Sequence, residues 1–275
     1  MKHQKFSIRL LALTLCLCLA LLGFASAEAA AAEDAAQFEE TLRLAQAGDA
    51  AAMNGVGYGY EYGIGVAEDQ VKATEWYRKG AENGDSTAMN NLSTRYLCGR
   101  GTARDEGEAL RWANAALETG DVSALLTVAE CYAKRSEPDY EKAIALYQES
   151  LATGSDYALA GLGECYYYGY GVEQNYDRAV EYFRQGVEKD VLYAYTCLGV
   201  CYLEGNGVEQ DDVRAVELFA QAADAFDVDG MYRLAQCYEQ GRGVEMDLAS
   251  AQYWYDLALR RGGEEVRAWA ESAGA

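Results

Sequence analysis

The sequence predicts an all-α fold, a solenoid of six antiparallel helix pairs. The first observation is an internal repeat whose copies begin 34 or 36 residues apart, at Ala52, Ala88, Ala124, Ala158, Ala194 and Gly230. The second is a tyrosine eight residues after each start, at Tyr60, Tyr96, Tyr132, Tyr166, Tyr202 and Tyr238. A fixed period of this length is typical of stacked helical repeats, because no copy can bury its apolar face alone.

Each copy is predicted to form two helices. In the fifth copy Ala194, Leu198 and Tyr202 are spaced by four residues, which places them on one helical face. Gly205 and Gly207 follow, and glycine favours a helix end because it adopts the left-handed backbone without a Cβ clash. A small residue 21 positions after the start and large residues at +24 and +25 mark the second helix. We interpret the tyrosine at +8 as a core residue.

The third copy departs from this pattern. It is two residues shorter, lacks the Gly-x-Gly turn and contains Pro138, the only proline of the chain. Because a first-turn N–H needs no partner within the helix, we expect Pro138 in the first turn of the second helix of this copy.

The stretch from Leu198 to Val208 reads Leu-Gly-x-x-Tyr-x-x-Gly-x-Gly-Val. This pattern resembles the Sel-one-like repeat family, relatives of the tetratricopeptide repeats, and the resemblance extends over residues 48–263. It implies a right-handed α/α superhelical solenoid whose concave side binds proteins or peptides.

The segments outside the repeats are predicted to be an export signal and two caps. Residues 1–27 combine a basic start (Lys2, Lys5, Arg9), an apolar run and Ala25-Ser26-Ala27, which is typical of a cleavable signal. We expect a periplasmic or extracellular protein, with an uncleaved membrane tether as the alternative. Residues 28–47 are predicted as a disordered start and a capping helix from Asp34, and residues 264–275 as a C-terminal capping helix and tail.

The charge restricts the possible partners. The chain has 44 acidic and 23 basic residues, a net charge of −21, and loss of the signal removes three of the basic residues. So acidic a surface repels nucleic acid and anionic lipid and attracts basic partners. We expect a monomer without membrane insertion after signal cleavage.

The single histidine, His3, lies in the predicted signal. A mature chain without histidine has no Ser-His-Asp or Cys-His arrangement and no histidine-bearing zinc site. Its six cysteines contain no Cys-x-x-Cys, and equivalent positions on stacked helices lie about 8–10 Å apart, too far for a disulfide. We therefore predict buried thiols, no metal, no cofactor and no enzymatic activity.

The resemblance implies that positions +2, +6, +9 and +10 of each copy face the concave side. The candidate partner-binding residues are Asn54, Tyr58, Asn90, Thr94, Glu130, Glu164, Tyr167, Tyr168, Tyr232 and Gln236. Aromatic side chains dominate the energetics of many interfaces, although some of these tyrosines could instead cover gaps between repeats.

The sequence thus predicts an exported, non-catalytic scaffold that binds a protein or peptide, basic in character, on its concave face. Two alternatives stay open. Cysteine-rich relatives imply an envelope enzyme or binder that acts on β-lactam or peptidoglycan-type ligands, and exposed aromatic residues suggest a polysaccharide binder.

Overall fold

The computed structural model describes the backbone of residues 31–273 and the side chains of residues 31–262. This part of the chain contains thirteen helices and no strand. The predicted signal peptide and residues 28–30 lie outside the described residues. The chain divides into two units, residues 1–83 and residues 84–275.

The described part of the first unit consists of three helices: α1 (31–46), α2 (Ala50–Tyr62) and α3 (Gln70–Glu82). Phe38 and Ala45 of α1 are buried and pack with Met53 and Val56 of α2. The helix is already formed at residue 31, so residues 31–33 are helical and Asp34 lies within α1. The expected disorder of residues 31–33 and the expected cap at Asp34 are therefore corrected.

The second unit contains the other five helix pairs. Its helices are α4 (Ser86–Cys98), α5 (Glu106–Glu118), α6 (Ala124–Ala133), α7 (Tyr140–Ala152), α8 (Ala158–Tyr168), α9 (Tyr176–Glu188), α10 (Leu192–Glu204), α11 (Asp212–Asp224), α12 (Val228–Gln240) and α13 (Leu248–Ala273). Consecutive helices of this unit contact each other, and contacts between first helices join α4 to α6, α8 to α10 and α10 to α12. The last helix, α13, contacts α4 as well as α12, so this unit curls back on itself. The predicted fold class is confirmed.

Polar side chains cap the start of most helices, although not of α6, α8 or α10, and glycines end the first helix of most pairs. Asp105 at the start of α5 accepts a hydrogen bond from the backbone N–H of Glu108 (3.0 Å), which satisfies one of the donors that a helix start leaves free. Gly205 ends α10 with φ = 72°, and its N–H donates to the carbonyl of Cys201. The left-handed conformation of this glycine turns the chain into the next helix.

The second glycine of the Gly-x-Gly turn contacts the preceding helix pair. A Cβ on Gly207 would lie 2.6 Å from the carbonyl oxygen of Tyr176, where α9 begins. The third copy has no glycine here, and the backbone N–H and hydroxyl of Ser136 donate to Glu106 instead (2.9 and 3.1 Å). Pro138 precedes Asp139, the N-cap of α7, so it lies outside the first turn where we expected it.

In the first, fourth and fifth pairs, the core contains an aromatic ring packed on a glycine. Phe219 of α11 is fully buried, and a Cβ on Gly199 of α10 would lie 2.6 Å from its ring. Tyr77 lies over Gly57 in the first pair in the same way, at 2.7 Å. The tyrosines at +8, such as Tyr202, are only partly buried and border the core. Our interpretation of the +8 tyrosines as core residues is therefore wrong, and the ring at +25 has this role.

The last helix is longer than predicted. α13 continues without a break from Leu248 to Ala273, although Gly262 and Gly263 lie within it. Residues 264–273 therefore extend the second helix of the sixth pair rather than form a separate capping helix.

The thiols of the second unit are largely buried. Cys131, Cys165, Cys197, Cys201 and Cys237 are buried as unbridged thiols. Burial raises the pKa of Cys131 and Cys237 to about 11. Since the thiolate is the reactive form, these cysteines are poor nucleophiles at neutral pH.

We expect Gly199→Ala to lower the free energy of unfolding by about 1–3 kcal/mol, because the new methyl group overlaps the buried Phe219 ring. The matched control is Gly107→Ala in α5, at an exposed helical position where the added Cβ would lie 3.3 Å from Asp105 Oδ1. This control should stay within about 0.5 kcal/mol of wild type. Urea denaturation measures both, and equal stability of the two variants would contradict the proposed ring–glycine contact.

Candidate functional site

The first helices of the second unit surround a cavity of about 360 Å³. Each of the five, from α4 to α12, contributes to its wall, and so does α7 through Tyr147. Ligand pockets commonly have volumes of about 300–1,000 Å³. The cavity therefore has room for a side chain or a small ligand, and not for a longer stretch of polypeptide.

Three of the predicted binding residues meet at this cavity. Thr94, Glu130 and Glu164 occupy position +6 of three successive copies, and all three line the wall. Tyr168, about half exposed, borders a narrow adjoining cleft that shares Glu164 with the cavity. Asn90 is not in the cavity wall.

Gln236 and two of the predicted tyrosines, Tyr167 and Tyr232, do not line this cavity. Gln236 also lies outside the cavity wall. Tyr167 is buried (6% exposed), and its hydroxyl donates to Glu204 (2.5 Å) and accepts from Asn206 (2.9 Å) in the next repeat. Tyr232 is equally buried, with its ring centroid 5.2 Å from that of Tyr255 in α13. The expectation that Tyr232 faces an open groove is corrected, because its ring packs against α13, whereas Tyr167 lines the narrow cleft beside the cavity together with Glu164 and Tyr168.

The other two predicted residues, Asn54 and Tyr58, belong to the first unit. Tyr58 is 50% exposed and its ring centroid lies 4.5 Å from that of Tyr62. Asn54 is partly buried in the same helix, α2.

Sequence reasoning missed the residue immediately before each repeat start. Tyr157, Tyr193 and Asp229 hold this position in three successive copies, and all line the cavity. Position −1 precedes +2 by three residues and +6 by seven, so all three share one helical face. That spacing was the signal that could have identified them.

Glu164 holds a buried carboxylate at the cavity. Its Oε1 accepts a hydrogen bond from the hydroxyl of Tyr193 (2.7 Å). Burial raises the pKa of Glu164, and the charges of Asp229 and Glu130 act in the same direction; the charge of Lys134 and the bond from Tyr193 oppose them. A carboxylate that is harder to ionise than usual lacks full compensation of its charge.

Tyr147 reaches the cavity from an outer helix. Its ring lies against Gly161 of α8, where an added Cβ would lie 2.6 Å from Cζ. The side chain is only 3% exposed, yet it lines the cavity together with Gly161. Burial raises the pKa of Tyr147 well above its ordinary value, and the charges of Glu130 and Glu164 add to this effect. The missing side chain of Gly161 thus gives the hydroxyl access to the two carboxylates.

The remaining acidic groups of the wall already have partners. Asp227 caps α12, accepting from the N–H of Gly230 (2.7 Å) and the hydroxyl of Thr196 (2.8 Å). Asp229 forms an ion pair with Arg233 (3.3 Å). Neither carboxylate is therefore as available to a ligand as Glu130 or Glu164.

Three stacked tyrosines lie beside the cleft. The rings of Tyr140 and Tyr170 are nearly parallel, with centroids 4.4 Å apart, and Tyr168 stacks on Tyr170 at 5.1 Å. Tyr168 and Tyr170 are 48% and 38% exposed. They give the cleft an aromatic border.

The described residues show neither a metal-binding cluster nor a membrane-spanning helix. Among residues 31–262, no cluster of three or more histidine, cysteine or acidic side chains is arranged to hold a metal ion. None of the helices between residues 31 and 273 combines the length and the apolar character needed to cross a membrane.

These features define a helical-repeat protein with a polar cavity among its first helices. A model of the Sel1 repeat matches six consecutive segments: residues 50–85, 86–121, 122–154, 156–191, 193–225 and 228–263. The chain belongs to the Sel1 repeat family, whose solenoids are commonly protein-interaction scaffolds and generally non-catalytic.

Several solved structures are similar to this chain, and two of them, with a TM-score of 0.53, have the same fold. A crystal structure of a Sel1 repeat protein from Oxalobacter formigenes is 29% identical over 76% of this chain and 85% of that chain, with a TM-score of 0.53. A Pseudomonas aeruginosa protein with 16% identity shares the fold, with the same TM-score over 77% and 81% of the two chains. A protective antigen of uropathogenic Escherichia coli strains, displaying an SLR fold, is 26% identical over 83% of this chain and 50% of that chain, with a TM-score of 0.47. Among curated proteins, none matches this sequence.

We predict that Glu164→Gln raises the melting temperature at pH 8. Because the folded-state pKa of Glu164 is above its ordinary value of 4.5, the ionised carboxylate destabilises the fold above the folded pKa. This cost disappears as the pH falls to 4.5 and below, so the advantage of the variant should shrink toward zero at pH 4. Each kcal/mol relieved corresponds to about 2–4 °C for a domain of this size.

The control for this experiment is Glu181→Gln at an exposed position of α9. It should melt close to wild type at both pH values. If Glu164→Gln melts below wild type at pH 8, the charge of Glu164 is compensated in the native protein and our account of the cavity is wrong.

Proposed function

We propose that the protein is an exported, non-catalytic scaffold that binds a basic protein or peptide segment at the cavity of its second unit. The observation that carries the proposal is the convergence of Glu130 and Glu164 on one cavity between repeats. The family supports the general role, since Sel1 repeats typically mediate protein–protein interaction.

Charge supports a basic partner. The net charge of −21 extends the negative field of the cavity over the whole chain. Such a field raises the rate of association with cations and disfavours acidic partners. The aromatic border of Tyr168 and Tyr170 gives a partner apolar contact area next to the acidic groups.

Selection from a random dodecapeptide library on phage, with purified residues 28–275 as bait, tests the proposal. We expect enrichment of peptides rich in lysine and arginine, and their affinity should fall with added salt, since exposed charges are screened beyond about 10 Å at 0.1 M. The pair Glu130→Gln and Glu164→Gln should weaken the selected peptides at least tenfold, a loss of about 1.4 kcal/mol.

A matched variant carries the same charge change elsewhere. Glu149→Gln with Glu181→Gln alters two exposed residues of α7 and α9 that do not line the cavity. Equal affinities for the two double variants, or enrichment of acidic peptides, would contradict the proposed site. If the wild-type protein hydrolyses a β-lactam and Glu164→Gln does not, the protein is an enzyme and the scaffold proposal is wrong.

Export is a separate part of the proposal, and it depends on the features of residues 1–27. We expect that the chain, expressed in bacteria from Met1, appears outside the cytoplasm with Glu28 as its first residue. Intact-mass measurement of the fractionated protein tests this cleavage. A full-length chain in the membrane fraction would instead favour the uncleaved tether.

We also propose a monomer, which light scattering coupled to size-exclusion chromatography measures directly.

A further inference from the structure

Two carboxylates of the cavity form no salt bridge with any described residue, and Lys134 in the same wall acts on Glu164 only at longer range. Among the described residues, no basic nitrogen lies within 4 Å of Glu130 or Glu164. Glu164 accepts one hydrogen bond, from the neutral hydroxyl of Tyr193, and Glu130 accepts none with its side chain. A carboxylate removed from water, as that of Glu164 is, is normally paired, because an unpaired charge costs free energy in a poorly solvated site.

The Tyr147 hydroxyl is an independent sign of a ligand. The side chain is 3% exposed and points past Gly161 into the cavity, yet its hydroxyl has no hydrogen-bond partner within residues 31–262. Since Tyr147 lines the cavity, a donor that enters the cavity can reach this hydroxyl. The Tyr147 hydroxyl reaches the cavity because Gly161 has no side chain to block it. It can therefore accept a hydrogen bond from a donor of a bound ligand.

We propose that the cavity binds one guanidinium group, with Glu130 and Glu164 as its carboxylate partners and the Tyr147 hydroxyl as a third acceptor. This inference deepens the proposed function and rests on it for the source of the group, an arginine side chain of the bound segment.

Several properties favour guanidinium over ammonium. Guanidinium carries five N–H donors in a planar fork and ammonium only three, and the three acceptors come from three different helices. Guanidinium is also less strongly hydrated, so burying it costs less. Tyr157 and Tyr193 line the same cavity and offer aromatic faces for a planar cation.

Lys134 and Arg100 also line the cavity and limit its capacity. With Asp227 and Asp229 engaged by protein groups, these two basic side chains offset part of the remaining negative charge. A single added cation is therefore favoured over several. The volume of about 360 Å³ is consistent with one side chain and not with a run of basic residues.

Calorimetric titration of residues 28–275 with short capped peptides tests this assignment. The probe is acetyl-Gly-Gly-Arg-Gly-Gly-amide, and its matched control replaces arginine with citrulline, which has nearly the same shape and no charge. We expect the arginine peptide to bind at least tenfold more tightly than the citrulline peptide and more tightly than the lysine peptide.

Protein variants then locate the binding. Tyr147→Phe keeps the ring over Gly161 and removes only the hydroxyl, so the fold is retained while the affinity should fall about tenfold. Glu130→Gln and Glu164→Gln should each weaken binding by at least as much, and Glu149→Gln with Glu181→Gln should not. Equal affinity for arginine and citrulline peptides, or unchanged affinity in all three cavity variants, would overturn the inference.

Agmatine, a free small molecule with the same guanidinium group, separates this inference from the proposed function. If agmatine binds with the same dependence on Tyr147 but no peptide does, the guanidinium site stands and the peptide scaffold fails. If library peptides bind at a place insensitive to Tyr147→Phe, and neither agmatine nor the arginine peptide binds the cavity, the scaffold stands and the guanidinium site fails.

Discussion

The fit between a large ring on one helix and a missing side chain on the other sets the spacing of the helix pairs. Phe219 occupies the space that a Cβ on Gly199 would fill, and Tyr77 does the same over Gly57. In the second copy, Ser93 replaces the glycine and Ala113 replaces the ring, and the Ser93 hydroxyl donates to the carbonyl of Ala109 in the facing helix (2.7 Å). Closely packed interiors tolerate little change in volume, and this complementarity therefore fixes where each first helix lies and which of its residues reach the cavity.

In the third copy, the contact between a ring and a glycine also shapes the proposed binding cavity. Its first helix carries Ala129 where the first, fourth and fifth copies have glycine, and the ring of its second helix, Tyr147, lies over Gly161 of the next copy. The displaced ring brings its hydroxyl into the cavity beside Glu130 and Glu164. The copy that departs most from the repeat thus supplies the feature that distinguishes the cavity chemically, as expected where local rules yield to a binding role.

The sequence predicted the fold and some of the residues that line the cavity. The family resemblance implied that the +6 positions face one side, and Thr94, Glu130 and Glu164 do line one cavity, because helical spacing repeats from copy to copy. The residue before each repeat start is not among the positions that the resemblance implies for the concave side, so Tyr157, Tyr193 and Asp229 were not predicted. Burial of Tyr167 and Tyr232 depends on Glu204, Asn206 and Tyr255, which belong to other helices. Single-copy patterns carry no information about such tertiary partners.

The contact between α13 and α4 has an evolutionary consequence. Open repeat arrays gain or lose whole copies at little cost, because each unit touches only its neighbours. In the second unit, the last helix meets the first, so an inserted or deleted copy would separate surfaces that now close around the cavity. Gene duplication within this array would therefore change its binding chemistry along with its length. Selection for the ligand would preserve the number of repeats.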